Sequence, residues 1–228
     1  MTIHYHGTPI TPTDALYKLS GRNFCVSFAN PQQVAHVHKI GQSVMLDNGA
    51  FTAWSSGASP DWRKYYSWAE KWLDHRTTWC VIPDAIDGDE DANDALIRDW
   101  PHGNRGAPVW HLHESIGRLL ALSSKWDRVC IGSSGDYKSV GTPRWHMKMI
   151  EAMNALCGNG PSPVWLHMLR GMNVADSIYP FASVDSTDIA RNHHLGTCPS
   201  SMASRWDSLQ SPGRWVVRPV QEDIFGGK

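Results

Sequence analysis

The sequence has little that could hold a scaffold together covalently or through a metal. Its five cysteines (Cys25, Cys80, Cys130, Cys157 and Cys198) are scattered and odd in number and contain no C-x-x-C pair. That excludes a disulfide framework and a cysteine-based zinc site. Charge of one sign is also missing. A formal net charge of −1 excludes a generally basic nucleic-acid coat, so any polyanion must be met by a local patch. No G-x-G-x-x-G follows the first expected strand and no Walker sequence occurs, which removes the usual phosphate loops of open α/β sheets. There is no signal-like leader and no apolar run of membrane length, so a cytoplasmic protein without a membrane partner is expected. The acidic run from Asp87 to Asp94 lacks the glycine at loop position six and the closing glutamate of an EF-hand. It reads instead as the negatively charged first turn of a helix.

What is present fits a single domain over residues 1 to 228. Tryptophan is abundant, at 12 residues. Trp62, Trp68 and Trp72 are spaced like the inner face of a helix, expected from Ser59 as N-cap and Pro60 through about Asp74. A minority of the tryptophans at an open site could stack on a base. The chain closes on a polar, glycine-rich end after Pro219.

Several short apolar runs stop on a titratable or glycine-rich residue: one at Asp47, one at Asp84, one at His111-Leu112-His113, one at Gly132-Ser133-Ser134-Gly135, one at His167, and one at Asp185. These runs alternate with helical patterns, which argues for a parallel sheet. About eight such strands can be counted if residues 3 to 6 are included, which favours a single α/β (β/α)8 TIM-type barrel. A closed barrel gathers its strand C-termini at one face and would bring Asp47, Asp84, His111, Ser133, His167 and Asp185 together.

Carboxylates at one apolar-walled mouth, without a metal motif, suit chemistry at a glycosidic carbon. One attacks or shields the oxocarbenium-like centre while another moves a proton. Each aspartate taken alone reads more readily as a helix cap or loop hydrogen-bonder, and it is the set at strand ends that favours the catalytic reading. His111 and His113 share one strand face and could donate to a carbonyl or shuttle a proton, or serve as structural histidines at the edge of the core. Gly132 to Gly135 could form a backbone N–H cradle. His4 and His6 also share a face and would suit metal ligation, although hydrogen-bonded strand-edge histidines are the simpler reading and no metal is expected.

Taken in order, Leu46-Asp47-Asn48-Gly49-Ala50-Phe51, the strand to Asp84, Ile131-Gly132-Ser133-Ser134-Gly135-Asp136-Tyr137 and Val184-Asp185-Ser186-Thr187-Asp188-Ile189-Ala190-Arg191-Asn192 resemble the tRNA-guanine transglycosylase superfamily. They look closer still to its DNA-acting branch, the DNA-guanine transglycosylases of 7-deazaguanine modification systems in phages and bacteria. The resemblance implies a barrel that exchanges guanine for a 7-deazaguanine base through a covalent enzyme–sugar intermediate, with no cofactor. By it, Asp185 is the nucleophile, Asp47 the general acid/base, and Asp84 the acceptor for the guanine N1 and exocyclic amine. The Gly132-Ser133 backbone and His111 or His113 would meet the base carbonyl, where the family commonly uses glutamine. His167 and Met168 would line the pocket wall, and Arg191 would contact a phosphate. Arg170, with Arg144, Arg191, Arg205, Arg214 and Arg218, could extend that contact into a phosphate track.

The implied partners are DNA with its guanine flipped out and a free base such as 7-cyano-7-deazaguanine. The compartment would be the host cytoplasm for a phage-encoded chain. The chain departs from the family in lacking the C-x-C-x-x-C…H zinc subdomain and in carrying Asn48 and Ala50 where serine and glycine are frequent. Rival readings are a hydrolase of N-glycosidic bonds, a non-catalytic module that binds a modified base, and a metal-dependent hydrolase using His4, His6 and a strand-end aspartate.

Overall fold

Residues 1–220 are described by a computed structural model of the chain; the polar end expected over 221–228 lies outside them. The apolar runs form parallel strands β1 (Ile3–Gly7), β2 (Asn23–Ser27), β3 (Ser43–Asp47), β4 (Thr78–Val81), β5 (Gly106–Ala107), β6 (Val109–His111), β7 (Arg128–Gly132), β8 (Trp165–Met168) and β9 (Ser183–Ser186). Their lateral order is β5-β4-β3-β2-β1-β9-β8-β7-β6. The first and last members of this series, β5 and β6, flank Pro108, so the ring is nearly closed. The expected count of eight becomes nine segments because proline has no N–H to give the ladder. Ala107 pairs with Val81 on one side of the break and Val109 with Cys130 on the other.

Strand alternation sorts the side chains into two populations. Tyr5, Cys25, Met45, Trp79, Val81, Ala107, Val109 and Cys130 form one apolar cluster inside the ring. Residues of the opposite parity, such as Phe24, Val26, Leu46, Trp110, Ile131, Leu166 and Val184, pack outward into two larger clusters against the helices. Those helices are α1 (Thr13–Tyr17), α2 (Val34–Ile40), α3 (Ala50–Ser55), α4 (Trp62–Glu70), α5 (Glu90–Arg98), α6 (Ile116–Lys125), α7 (Pro143–Cys157), α8 (Asp188–Asn192) and α9 (Pro199–Asp207).

The caps explain where several helices start. Asp89 accepts from the backbone N–H of Ala92, so the acidic run is the capped first turn of α5. Ser115 and Thr142 cap α6 and α7 in the same way. α4 starts later and ends earlier than expected. Its cap is Asp61, which accepts from the Lys64 N–H, and not Ser59. Trp62, Trp68 and Trp72 are half-buried against the outer cluster as their spacing predicts, although Trp72 lies beyond the last residue of α4.

His4 and His6 have outward parity and sit under α9. The His6 Nε2 lies 3.1 Å from Asp207 Oδ1 and the His4 Nδ1 3.8 Å from it, and Arg22 pairs with the same carboxylate. Burial pushes both imidazoles down to about 4, helped for His4 by its neighbour His6 and for His6 by Arg22. Two histidines on the helix side of the sheet cannot share a metal with an aspartate at the mouth, so that part of the metal-hydrolase reading is corrected. No helix among the described residues is long and apolar enough to cross a membrane.

Candidate active site

The strand register decides which side chains reach the inner face at the C-terminal end of the ring. Ser27 is the ladder partner of Asp47, and Tyr5 that of Asp185. Because Cys25, Met45 and Tyr5 point inward, Ser27 and Asp47, two residues further on, do as well. Asp84 follows β4 by a short link through Pro83, and His111 ends β6.

Asp185 is buried, and its Oδ1 accepts the backbone N–H of Arg170 at 2.7 Å and faces the His167 Nε2 at 3.3 Å. The tautomer of His167 follows from its other side. Ser183 Oγ lies 2.8 Å from both the Trp165 Nε1 and the His167 Nδ1. Indole N–H only donates, so the serine hydroxyl gives its proton to Nδ1, and Nε2–H is left to donate to Asp185.

Asp84 is held as firmly. Its Oδ1 accepts from Asn48 Nδ2 at 2.7 Å, and its Oδ2 lies 2.9 Å from His111 Nε2. Asn48 also donates to the Ile82 carbonyl, and its own carbonyl accepts the Ala50 N–H, which ties Asp84 to the turn that opens α3. Gly49 in that turn has φ +77°, a backbone that a side chain would strain. Glu114 accepts the His111 N–H at 2.9 Å and pairs with Arg118 at 2.6 Å, fixing His111 from behind.

Asp47 differs from the other two carboxylates. Burial pushes its carboxyl up to about 6, with Asp185 and Asp84 adding to the rise, while the Ser27 hydroxyl and the Gly49 N–H, at 3.1 Å, oppose it. A carboxyl that titrates near neutrality beside two that are fixed by donors can hand a proton over and take it back. The thiols of Cys25 and Cys130 are pushed well above their ordinary value by burial and by the aspartates, so they stay protonated.

The remaining expected residues divide. Gly132 faces inward where a Cβ would come within 2.6 Å of His111 Nδ1, so the close approach requires glycine. Ser133 turns its hydroxyl outward to accept from the Trp145 indole at 2.9 Å, and its carbonyl accepts from the Arg170 guanidinium at 2.6 Å. His113 lies past the strand end, stacks on His111 and bonds Ser134 Oγ and the Gly88 carbonyl. Met168 is corrected. Having the parity opposite to His167, it is fully buried in the layer between barrel and helices and lines no mouth.

Arg191 is exposed on α8 and away from the carboxylates' hydrogen-bond shell. One member of the expected arginine track is corrected: Arg214 donates to the Asn159 carbonyl in the loop that leads into β8 from the opposite end, whereas the exposed Arg144 pairs with Asp136 past the C-terminal end of β7. Ser27, Asn48 and Phe51 are site residues that sequence reasoning missed as such. For Ser27 the strand-end rule that found Asp47 would have served.

Two concavities flank this arrangement. A groove of about 390 Å³ borders the mouth, lined among others by Lys138, Arg170, Ser186 and Asp188. The larger one, about 670 Å³, lies at the other end of the barrel around Thr2, Asp127, Trp165 and Ala182 and contains no carboxylate cluster. Chemistry, not size, picks the mouth as the site. Among the described residues no group of histidine, cysteine and carboxylate side chains is arranged to hold a metal ion. Neither a family model nor a curated protein nor a solved structure matches the chain.

Proposed function

We propose that the chain is a base-exchanging transglycosylase acting on guanine in DNA, built on an eight-stranded barrel in which β5 and β6 are two halves of one strand broken at Pro108. The observation that carries this reading is the inequality of the carboxylates. Asp185 is held by donors on the inner wall, while Asp47, across the mouth, is pushed up to about 6.

In the first step Asp185 attacks C1′ of the nucleotide, the C1′–N9 bond breaks, and the leaving guanine takes a proton from Asp47. In the second, Asp47 removes a proton from the incoming 7-deazaguanine base. That base's ring nitrogen then displaces Asp185 from C1′ by entering on the face that guanine left, opposite Asp185. An ionised carboxylate has about four lone-pair positions. Asp84 can therefore accept from the N1–H and amine edge of a guanine-like ring while it still holds Asn48 and His111. His111 and the Gly132-Ser133 turn are the nearest groups for the base carbonyl, and a flipped-out nucleotide is required to reach C1′ at this depth.

The test is to incubate the protein with guanine-containing DNA or tRNA and labelled guanine or 7-cyano-7-deazaguanine, for wild type and Asp185→Asn. Label should enter DNA with the wild type, and the variant should lose at least about a thousandfold in rate, as expected when a nucleophile is removed. Release of free base without incorporation would replace this reading with an N-glycosidic hydrolase. Neither incorporation nor release would replace it with a binding module.

A further inference from the structure

Arg170 is the one described non-glycine residue with a left-handed backbone, φ +56°. Such strain persists only where the surroundings impose it, and it collects at functional sites. Here it aims the Arg170 N–H at Asp185 and sends the side chain across the mouth. The guanidinium donates to the Ser133 carbonyl beyond β7 at 2.6 Å and lies 4.4 Å over the ring of Phe51, on α3 beyond β3. Arg170 therefore bridges the loops on two sides of the opening and covers part of the Phe51 ring, which keeps 44% exposure with the guanidinium in place.

The bridge is weakly held for a charge in that position. A guanidinium has five N–H donors, and this one has a single hydrogen-bond acceptor and no ion pair within 4.0 Å among the described residues. Burial pushes the guanidinium below its ordinary value, and Asp185, Asp47 and Asp84, acting only from a distance, oppose that in part. The same side chain borders the 390 Å³ groove, together with the Lys138 cation, next to Ser186, which follows the proposed nucleophile.

We propose that Arg170 is a specificity-determining residue that admits a flat base to Phe51 only when the base arrives joined to a phosphate. This rests on the reading of the mouth as a nucleobase site and goes beyond it. A phosphodiester entering the groove offers the guanidinium the bidentate acceptor it lacks. The side chain then leaves Phe51, and the uncovered ring takes the base. A free base brings no anion and must compete with the stacked cation. The order of events follows: nucleic acid first, and the free exchanging base only while the sugar-phosphate chain still holds Arg170 aside.

Equilibrium dialysis of labelled guanine and of a labelled guanine-containing DNA oligonucleotide tests this with wild type, Arg170→Ala and Arg170→Gly. Glycine suits the left-handed backbone, so the second variant keeps the fold if alanine disturbs it. Both variants should bind free guanine about fivefold more tightly than wild type, the yield of removing one exposed cation–π competitor. They should bind the oligonucleotide about tenfold more weakly, with a salt dependence reduced by about one unit of slope. Weaker binding of both ligands, or no change in either, overturns the proposal while leaving the nucleobase reading in place. If none of the three proteins binds guanine or oligonucleotide, the nucleobase reading falls and this inference falls with it.

Discussion

The two ends of the barrel are built from the same strands and use opposite chemistry. At the C-terminal end the inward positions are Ser27, Asp47, His111, Gly132 and Asp185, with carboxylates close enough to perturb one another. At the N-terminal end, the inward Arg128 guanidinium lies between the rings of Trp79, at 4.5 Å, and Trp165, at 5.3 Å. The hydroxyl of Tyr5 receives the Trp79 indole N–H and lies 3.2 Å from Ser43 Oγ, to which it can donate because the Ser43 proton goes to Asn23 Oδ1 at 2.8 Å. One end gathers negative charge that is costly to hold, and the other plugs the barrel with a cation and aromatic rings. The difference agrees with a general division of labour in such barrels, with chemistry above and stability below. It also leaves the larger concavity without the carboxylate cluster that the proposed chemistry needs.

The largest effect that would sharpen this contrast is expected at Asp47. Asp47→Asn should lower exchange about 10²–10⁴-fold, the usual range for loss of a general acid/base. It should also erase the limb expected near 6 in the wild-type pH–rate profile, where loss of the raised Asp47 proton should lower activity as pH rises. Stability should move the other way. The native carboxyl is pushed up to about 6 from the ordinary 3.8, so between these values the folded state keeps a proton that the unfolded chain has released. Stability therefore falls as pH rises through that window and stays lowered above it, by about 3 kcal/mol on the full shift. Asp47→Asn should be more stable than wild type at pH 7 and equal to it near pH 3, as read by denaturant melts. A variant that is inactive and also less stable at pH 7 would show that Asp47 supports the fold.

An intermediate effect is expected at the other end. Arg128→Ala removes two ring contacts worth about 0.5–2 kcal/mol each, partly offset because the buried Nε has no hydrogen-bond partner. A net loss of about 2 kcal/mol should appear in melts, with exchange by the folded variant within twofold of wild type. The ends are not insulated, however: Trp165 bonds Ser183, Ser183 bonds His167, and His167 faces Asp185. A tenfold loss of exchange in folded Arg128→Ala would break the comparison and make that chain of hydrogen bonds a second support of the nucleophile.

The sequence made much of this arrangement legible because period-two alternation and strand ends are local signals. Asp47, His111 and Asp185 were found by their place after apolar runs, and the acidic run by its capping pattern. Parity applied consistently would also have turned Met168 outward once His167 was placed inward. What stayed hidden depends on tertiary context. The left-handed backbone of Arg170 and its reach to Ser133 and Phe51 join three loops far apart in sequence. The scatter of the C-terminal arginines depends on which end of the barrel each loop occupies. Pro108 was visible, but its splitting of a strand without opening the ring follows only from pairing on both sides.

The smallest effect tests whether the inequality of the carboxylates is tuned or incidental. Ser27 is the ladder partner of Asp47, and its hydroxyl opposes the rise in the Asp47 pKa by donating to the charged form. The same oxygen accepts the Ala29 N–H at 3.4 Å, so its proton remains free for the carboxylate. Ser27→Ala deletes that donor and little else, since the position is half-buried and the change removes one atom. A hydrogen bond to a charged group is worth about 1.5 kcal/mol, or about one pKa unit. The pH–rate limb near 6 should therefore move up by about half a unit to one unit, with the plateau rate below the limb changed by less than about threefold. If the limb moved down or stayed in place, the Ser27 hydroxyl would not be holding the carboxylate that titrates there, and the group behind that limb would have to be sought elsewhere than at Asp47.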